Sequence, residues 1–144
     1  MGWKKLIKRN EDWVLELNDL LESARHREFE RGEHDCALFV CDAIFVMTGV
    51  DFGEDLRGTY HTKKAAFEAV RAAGCKDLLA LATKRLGKSL PKVAMAGRGD
   101  VVAVKYGDEL GLAVVDLTGR RAVTPGLTEM QYYDPKHWLK AWRV

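Results

Sequence analysis

Residues 32–40 read Gly32-Glu33-His34-Asp35-Cys36-Ala37-Leu38-Phe39-Val40, a cysteine directly behind an aspartate at the head of a strongly apolar stretch. A thiol at a helix start lies among unpaired backbone N–H groups and at the positive end of the helix dipole. Both favour the thiolate, which is the nucleophile. Asp35 suits the N-cap of such a helix. Attack by Cys36 on a carbonyl needs an imidazole that takes the thiol proton and later returns it to the leaving group. The chain offers His26, His34, His61 and His137. His61, which follows Arg57-Gly58-Thr59-Tyr60, is the candidate base, because that segment can fold back over the thiol. His34 lies just outside the helix start and points away from Cys36. His26 falls on the polar side of the first helix, and His137 stands beside Trp138 near the carboxyl end. The plain alternative for Cys36 is a small apolar core residue. Cys41 is off the Cys36 face and reads as packing, while Cys75 follows Gly74 at a helix end. His34, Cys36 and Cys41 lack the spacing of a zinc-binding pair and no second pair follows, so neither a metal nor a cofactor is expected.

The elements that must position these residues divide the chain. Asn10, followed by Glu11 and Asp12, signals a helix start, and Trp13, Leu17, Leu20, Leu21 and Ala24 recur as one apolar stripe. Gly32 is expected to close that helix. A second helix starts near Asp35, presents Cys36, Phe39, Val40, Ala43, Ile44 and Met47 inward, and ends at Thr48-Gly49. Residues 51–60, with two glycines and three acids, read as a loop in which Gly58 turns the chain and Tyr60 packs, or as a wall beside the thiol. Thr62 caps a third helix with Ala65, Ala66, Ala69, Val70 and Ala73 on its inner face, stopped by Gly74. A short fourth helix spans 76–86. From Pro91 the texture changes to β-branched runs at 101–104 and 110–115 around Gly107-Asp108, a hairpin signal. A further strand follows at 121–124, and a closing one at 138–144.

One α+β domain over residues 1–144 follows: a helical extension over 1–31, a helical half over 32–90 that carries Cys36, and a strand half over 91–144. The 144 residues carry a net charge of +2 with both signs mixed, which predicts no nucleic-acid footprint. No stretch approaches the roughly 20 apolar residues of a membrane span, and no signal peptide is visible. Three cysteines are too few for a disulfide framework, so a reducing cytoplasm is the expected site of production. Trp3, Trp13, Trp138 and Trp142 cluster near the two ends, either joining the termini to the core or forming an anchoring patch for a partner.

Asp35-Cys36-Ala37-Leu38-Phe39-Val40 resembles the nucleophile motif of the NlpC-like cell-wall peptidases, a papain-fold group. Gly99-Asp100-Val101-Val102 is similar to the family's next landmark, and Leu110-Gly111-Leu112-Ala113-Val114 falls where its histidine strand begins. The order Gly32, Asp35-Cys36, Thr48-Gly49-Val50-Asp51, Arg57-Gly58-Thr59-Tyr60, Gly99-Asp100, Leu110-Gly111 and Trp142 resembles a small phage tail-tip branch of that family. The resemblance implies N-terminal helices packed on a small, barrel-like antiparallel sheet. Laid on the family pattern, Glu109 or Leu110 takes the histidine position and Arg121 roughly that of the orienting residue, so the thiol is left without its base. The implied function is a tail-tip assembly protein with a degenerate cysteine-peptidase fold. Its partners would be other tail-tip and hub proteins, and its place the virion after assembly in the host cytoplasm. The alternative is an active cell-wall cysteine peptidase acting on peptidoglycan during DNA entry, with Cys36 as nucleophile and His61 as base. A third use of the fold, partner binding in a host-derived or toxin-like protein, needs no chemistry at Cys36.

Overall fold

The computed structural model describes residues 7–144, the side chain of Tyr106 excepted. Trp3 lies outside the described residues. Helices α1 (Trp13–Ala24), α2 (Cys36–Thr48), α3 (Lys63–Ala72) and α4 (Leu78–Leu86) precede strands β1 (Val101–Tyr106), β2 (Glu109–Val115), β3 (Ala122–Pro125), β4 (Met130–Tyr133) and β5 (Trp138–Trp142). The protein is α+β, with the change of texture near Pro91 marking the boundary between helices and strands. All pairings are antiparallel, in the order β4-β3-β2-β1-β5.

Helix α2 is apolar on nearly every face and is buried accordingly, with Phe39, Ala43, Ile44 and Met47 enclosed. It packs between α1 on one side and the sheet on the other, while Leu38 belongs to a separate cluster with α3 and α4. On α1 the expected stripe holds: Leu17 and Ala24 are buried, and Trp13, Leu20 and Leu21 pack against the same core. Strand side chains alternate. Val101, Ala103, Leu112 and Val114 face the helices, whereas Val102, Val104, Ala113 and Val115 face a second cluster with Trp138. Leu90, Val93 and Ala96, from the stretch between α4 and β1, cover that second face.

Three boundaries differ from expectation. Asn10 does not cap α1; its backbone N–H donates to Met47 O at 2.8 Å and its side-chain amide to Val46 O at 3.3 Å. The helix starts at Trp13, after Asp12. It also stops at Ala24 rather than at Gly32, because the backbone beyond is engaged elsewhere: Phe29 N–H donates to Leu127 O, and Arg25 O accepts from Met130 N–H. Strand β4 was not foreseen, since Met130-Gln131-Tyr132-Tyr133 has no β-branched run. Its register with β3, from Ala122↔Tyr133 to Pro125↔Met130, is set by the partner strand.

Asp100 stitches the ends of the chain together. It is buried, and Oδ1 accepts from Arg9 Nη2 at 3.0 Å and from Val144 N–H at 2.9 Å, while Oδ2 accepts from Gly97 N–H at 2.9 Å. Gly99 beside it has φ +83, and a Cβ there would stand 2.8 Å from Met47 Sδ. The Gly99-Asp100 pair is thus explained by close approach to α2 and by hydrogen bonding. Trp13, Trp138 and Trp142 all serve the core rather than an outer patch: Trp142 is fully buried, with Nε1 donating to Thr83 Oγ1 at 3.2 Å. Truncating Trp142→Ala should lower unfolding stability by about 3–5 kcal/mol in urea titration.

Candidate functional site

Asp35 organises the end of α2 that carries the thiol. Its Oδ1 accepts from Leu38 N–H at 2.9 Å, the expected N-cap bond, and its Oδ2 accepts from Gly32 N–H at 2.9 Å and from the Tyr60 hydroxyl at 2.8 Å. Three chain segments therefore meet on one buried carboxylate. Gly32 has φ +89, and a Cβ on it would stand 2.0 Å from Tyr60 O, so no other residue fits. Gly58 N–H closes the same contact by donating to Gly32 O at 2.9 Å. Burial and the Asp35 charge push the Tyr60 hydroxyl far above its ordinary range, so it stays a donor.

The loop before Tyr60 is pinned by Arg57. Its Nε and Nη2 donate to the two Asp51 oxygens at 2.8 and 3.0 Å, and Nη1 lies 2.7 Å from Asp42 on α2. Hydrogen bonds from Arg57 hold the Asp51 carboxyl below the usual range. Arg85 fixes the middle of the loop through both oxygens of Asp55, at 2.7 and 2.8 Å. Both expectations for residues 51–60 hold at once: Tyr60 packs, and it also lines the cleft that contains Cys36.

That cleft has a volume of about 350 Å³. Phe29 and Arg31 form one wall and Leu56 and Tyr60 another; α3 contributes Ala66, Phe67 and Val70, and α4 contributes Leu78 and Leu81. The β1–β2 hairpin closes it with Asp108, Glu109 and Leu110, and Cys36 and Ala37 lie at the start of α2. Glu109 is ion-paired with Lys63, the first residue of α3. Cys36 retains partial exposure as a residue, yet desolvation dominates at its sulfur and pushes the thiol up to about 11. Backbone N–H groups of Leu112 and Ala37 oppose this without overcoming it, and Asp35 adds to it. The helix start does not deliver the expected thiolate.

The structure does not seat a histidine among the residues that line this cleft. His61 is exposed and stands on the Gly32 side, where its Nδ1 would be 3.7 Å from a Cβ on that glycine. His34 is buried with its ring edge-on to Phe39, centroids 5.8 Å apart, and neither ring nitrogen has a hydrogen-bond partner. Burial first, then the Arg27 charge, holds His34 below the ordinary imidazole range. His26 is exposed in the turns after α1 rather than on that helix, and His137 is exposed in a short 3-10 turn before β5. Arg121 does not approach the thiol. It pairs with Asp116 at 2.5 Å and stacks over Tyr132 at 4.1 Å, in a groove between α1 and the far strands. Cys41 is packed in the core and burial pushes its thiol up to about 12, while Cys75 is buried in the cluster with α3 and α4. Among the described residues, no three His, Cys, Asp or Glu side chains gather into a set that could hold a metal ion. Sequence reasoning missed the Tyr60–Asp35 bond and the Lys63–Glu109 pair, since contacts between distant segments leave no spacing signal.

Taken together, these features define an α+β protein with a partly exposed, desolvated thiol lining a largely apolar cleft. The chain belongs to the family described as a domain of unknown function, DUF6950, which matches residues 8–144. No curated protein matches it.

Two expectations follow from the geometry. Tyr60→Phe removes one of three donors to a buried carboxylate and should lower stability by about 1.5–3 kcal/mol in urea unfolding. His34 sets a pH dependence. Its folded value is depressed, so the unfolded chain takes up a proton near the ordinary value of 6.5 that the folded protein refuses. Its stabilising contribution is full above that pH and declines as pH falls through the lower folded value. Urea midpoints measured between neutral and mildly acidic pH should fall less steeply in His34→Leu than in the parent.

Proposed function

We propose that the chain is a bacteriophage tail-tip assembly protein. In this reading an NlpC-like, papain-type scaffold, with helices against a small barrel-like sheet, serves as a building block among hub proteins. The observation that carries it is the wall of the Cys36 cleft: Glu109, paired with Lys63, and Leu110 stand where the family pattern would put an imidazole. Acyl transfer by a cysteine requires a thiolate and a group that shuttles its proton. Here desolvation pushes the thiol up, and the adjacent Asp35 carboxylate opposes its ionisation further. The family resemblance supports the tail-tip setting, through the ordered motifs from Gly32 to Trp142. On this reading the cleft seats a segment of a neighbouring hub protein, and the protein travels in the virion after assembly in the host cytoplasm. No described helix is long and apolar enough to cross a membrane.

The test pairs chemistry with assembly. Incubation with peptidoglycan fragments should release no new termini, and Cys36→Ala phage should assemble tails at the parental yield. Phe67→Glu, at a half-exposed position of the cleft, should lower that yield while leaving the thermal midpoint unchanged. Turnover of wall fragments that disappears in Cys36→Ala would instead establish the peptidase reading.

A further inference from the structure

Helix α3 lines the Cys36 cleft and is lightly held. Its inner face is Ala65, Ala66 and Ala69, with Val70 as its buried residue. Burying methyl groups contributes little per residue, and elements with few buried apolar contacts open at low free energy. Its two ends are attached differently. At the C-terminal end, Ala73 O accepts from Lys84 Nζ at 2.5 Å, which fastens the helix to α4. At the N-terminal end, Lys63 pairs with Glu109, the first residue of β2, and the exposed pair His61-Thr62 links the helix to Tyr60, which Asp35 holds in place.

We propose that α3 is a lid over Cys36 that turns about Ala73 at one end and the exposed His61-Thr62 link at the other, and that is latched by the Lys63–Glu109 ion pair. Opening moves α3 away from the β1–β2 hairpin and admits a reagent to the thiol. The device stands whether or not the tail-tip reading holds, because it concerns access and not the partner.

Alkylation by iodoacetamide, followed by mass spectrometry at fixed pH, reads the latch, with Cys41 and Cys75 as buried references in the same molecule. Lys63→Met and Glu109→Gln should each speed modification of Cys36 by about threefold to fivefold, the range that a half-exposed ion pair supplies. Screening with about 0.5 M NaCl should accelerate the parent by a similar factor and leave both variants unchanged. Hydrogen exchange over residues 63–72 should quicken in parallel. A purely electrostatic influence on the thiol predicts opposite signs: loss of the lysine charge would slow alkylation and loss of the glutamate charge would speed it. Opposite signs, unchanged rates, or modification of Cys41 and Cys75 in step with Cys36 would each overturn the lid.

Discussion

Asp35 is a buried carboxylate that accepts three hydrogen bonds, with no guanidinium or ammonium paired to it among the described residues. The donors come from the turn before α2, from the first turn of α2 itself, and from the far end of the loop that follows α2. Each bond is charge-assisted, and one uses the exposed N–H groups of a helix start, where an anion is favoured. Because Cys36 is the next residue, the same node sets where the thiol sits. Tyr60 brings its loop with it, and Arg57 ties that loop to Asp51 and to Asp42 on α2. The floor of the cleft and one of its walls therefore share a single origin.

The protonated thiol follows from a contest of magnitudes. A helix N-terminus contributes about 0.3–1 kcal/mol to a nearby anion, rising to about 2 kcal/mol in favourable partly buried sites. Desolvation of a fully enclosed group can move a pKa by several units, each worth about 1.4 kcal/mol. At Cys36 desolvation is the largest influence, and the adjacent Asp35 charge works in the same direction. The carboxylate that caps the helix thus spends the dipole's favour on itself. A cap and a nucleophile side by side compete for the same N–H groups, and here the cap holds Leu38 N–H.

Local signals in the sequence were legible wherever a residue acts on its own neighbours. Asp35 and Thr62 each cap the helix that follows by accepting an N–H three residues on, and Gly49 stops α2 where the pattern breaks, whereas α4 starts at Leu78, behind an Asp77 cap, rather than at residue 76. The β-branched runs around Gly107-Asp108 predicted β1, β2 and their turn. What failed was non-local. The end of α1 depends on hydrogen bonds to residues 127–130, β4 depends on β3 for its register, and the ionisation of the helix-start thiol depends on desolvation by distant segments that no local spacing announces. Placing Arg121 near the thiol failed for a similar reason, since its partner Asp116 lies across a tight turn at the other end of the strands.

Several residues that stand out in the sequence have structural work in this molecule. Gly32 admits the Tyr60 carbonyl, Asp35 gathers three donors, Asp51 and Arg57 fasten the loop, Gly99 clears Met47, and Asp100 joins the two termini. Removing any of them would strain or leave unsatisfied a buried group, a penalty of a few kcal/mol that selection for folding alone would resist. On the wall of the Cys36 cleft, Glu109 forms an ion pair with Lys63 that bridges α3 and the sheet, so the rim of the cleft is tied by charge as well as by packing.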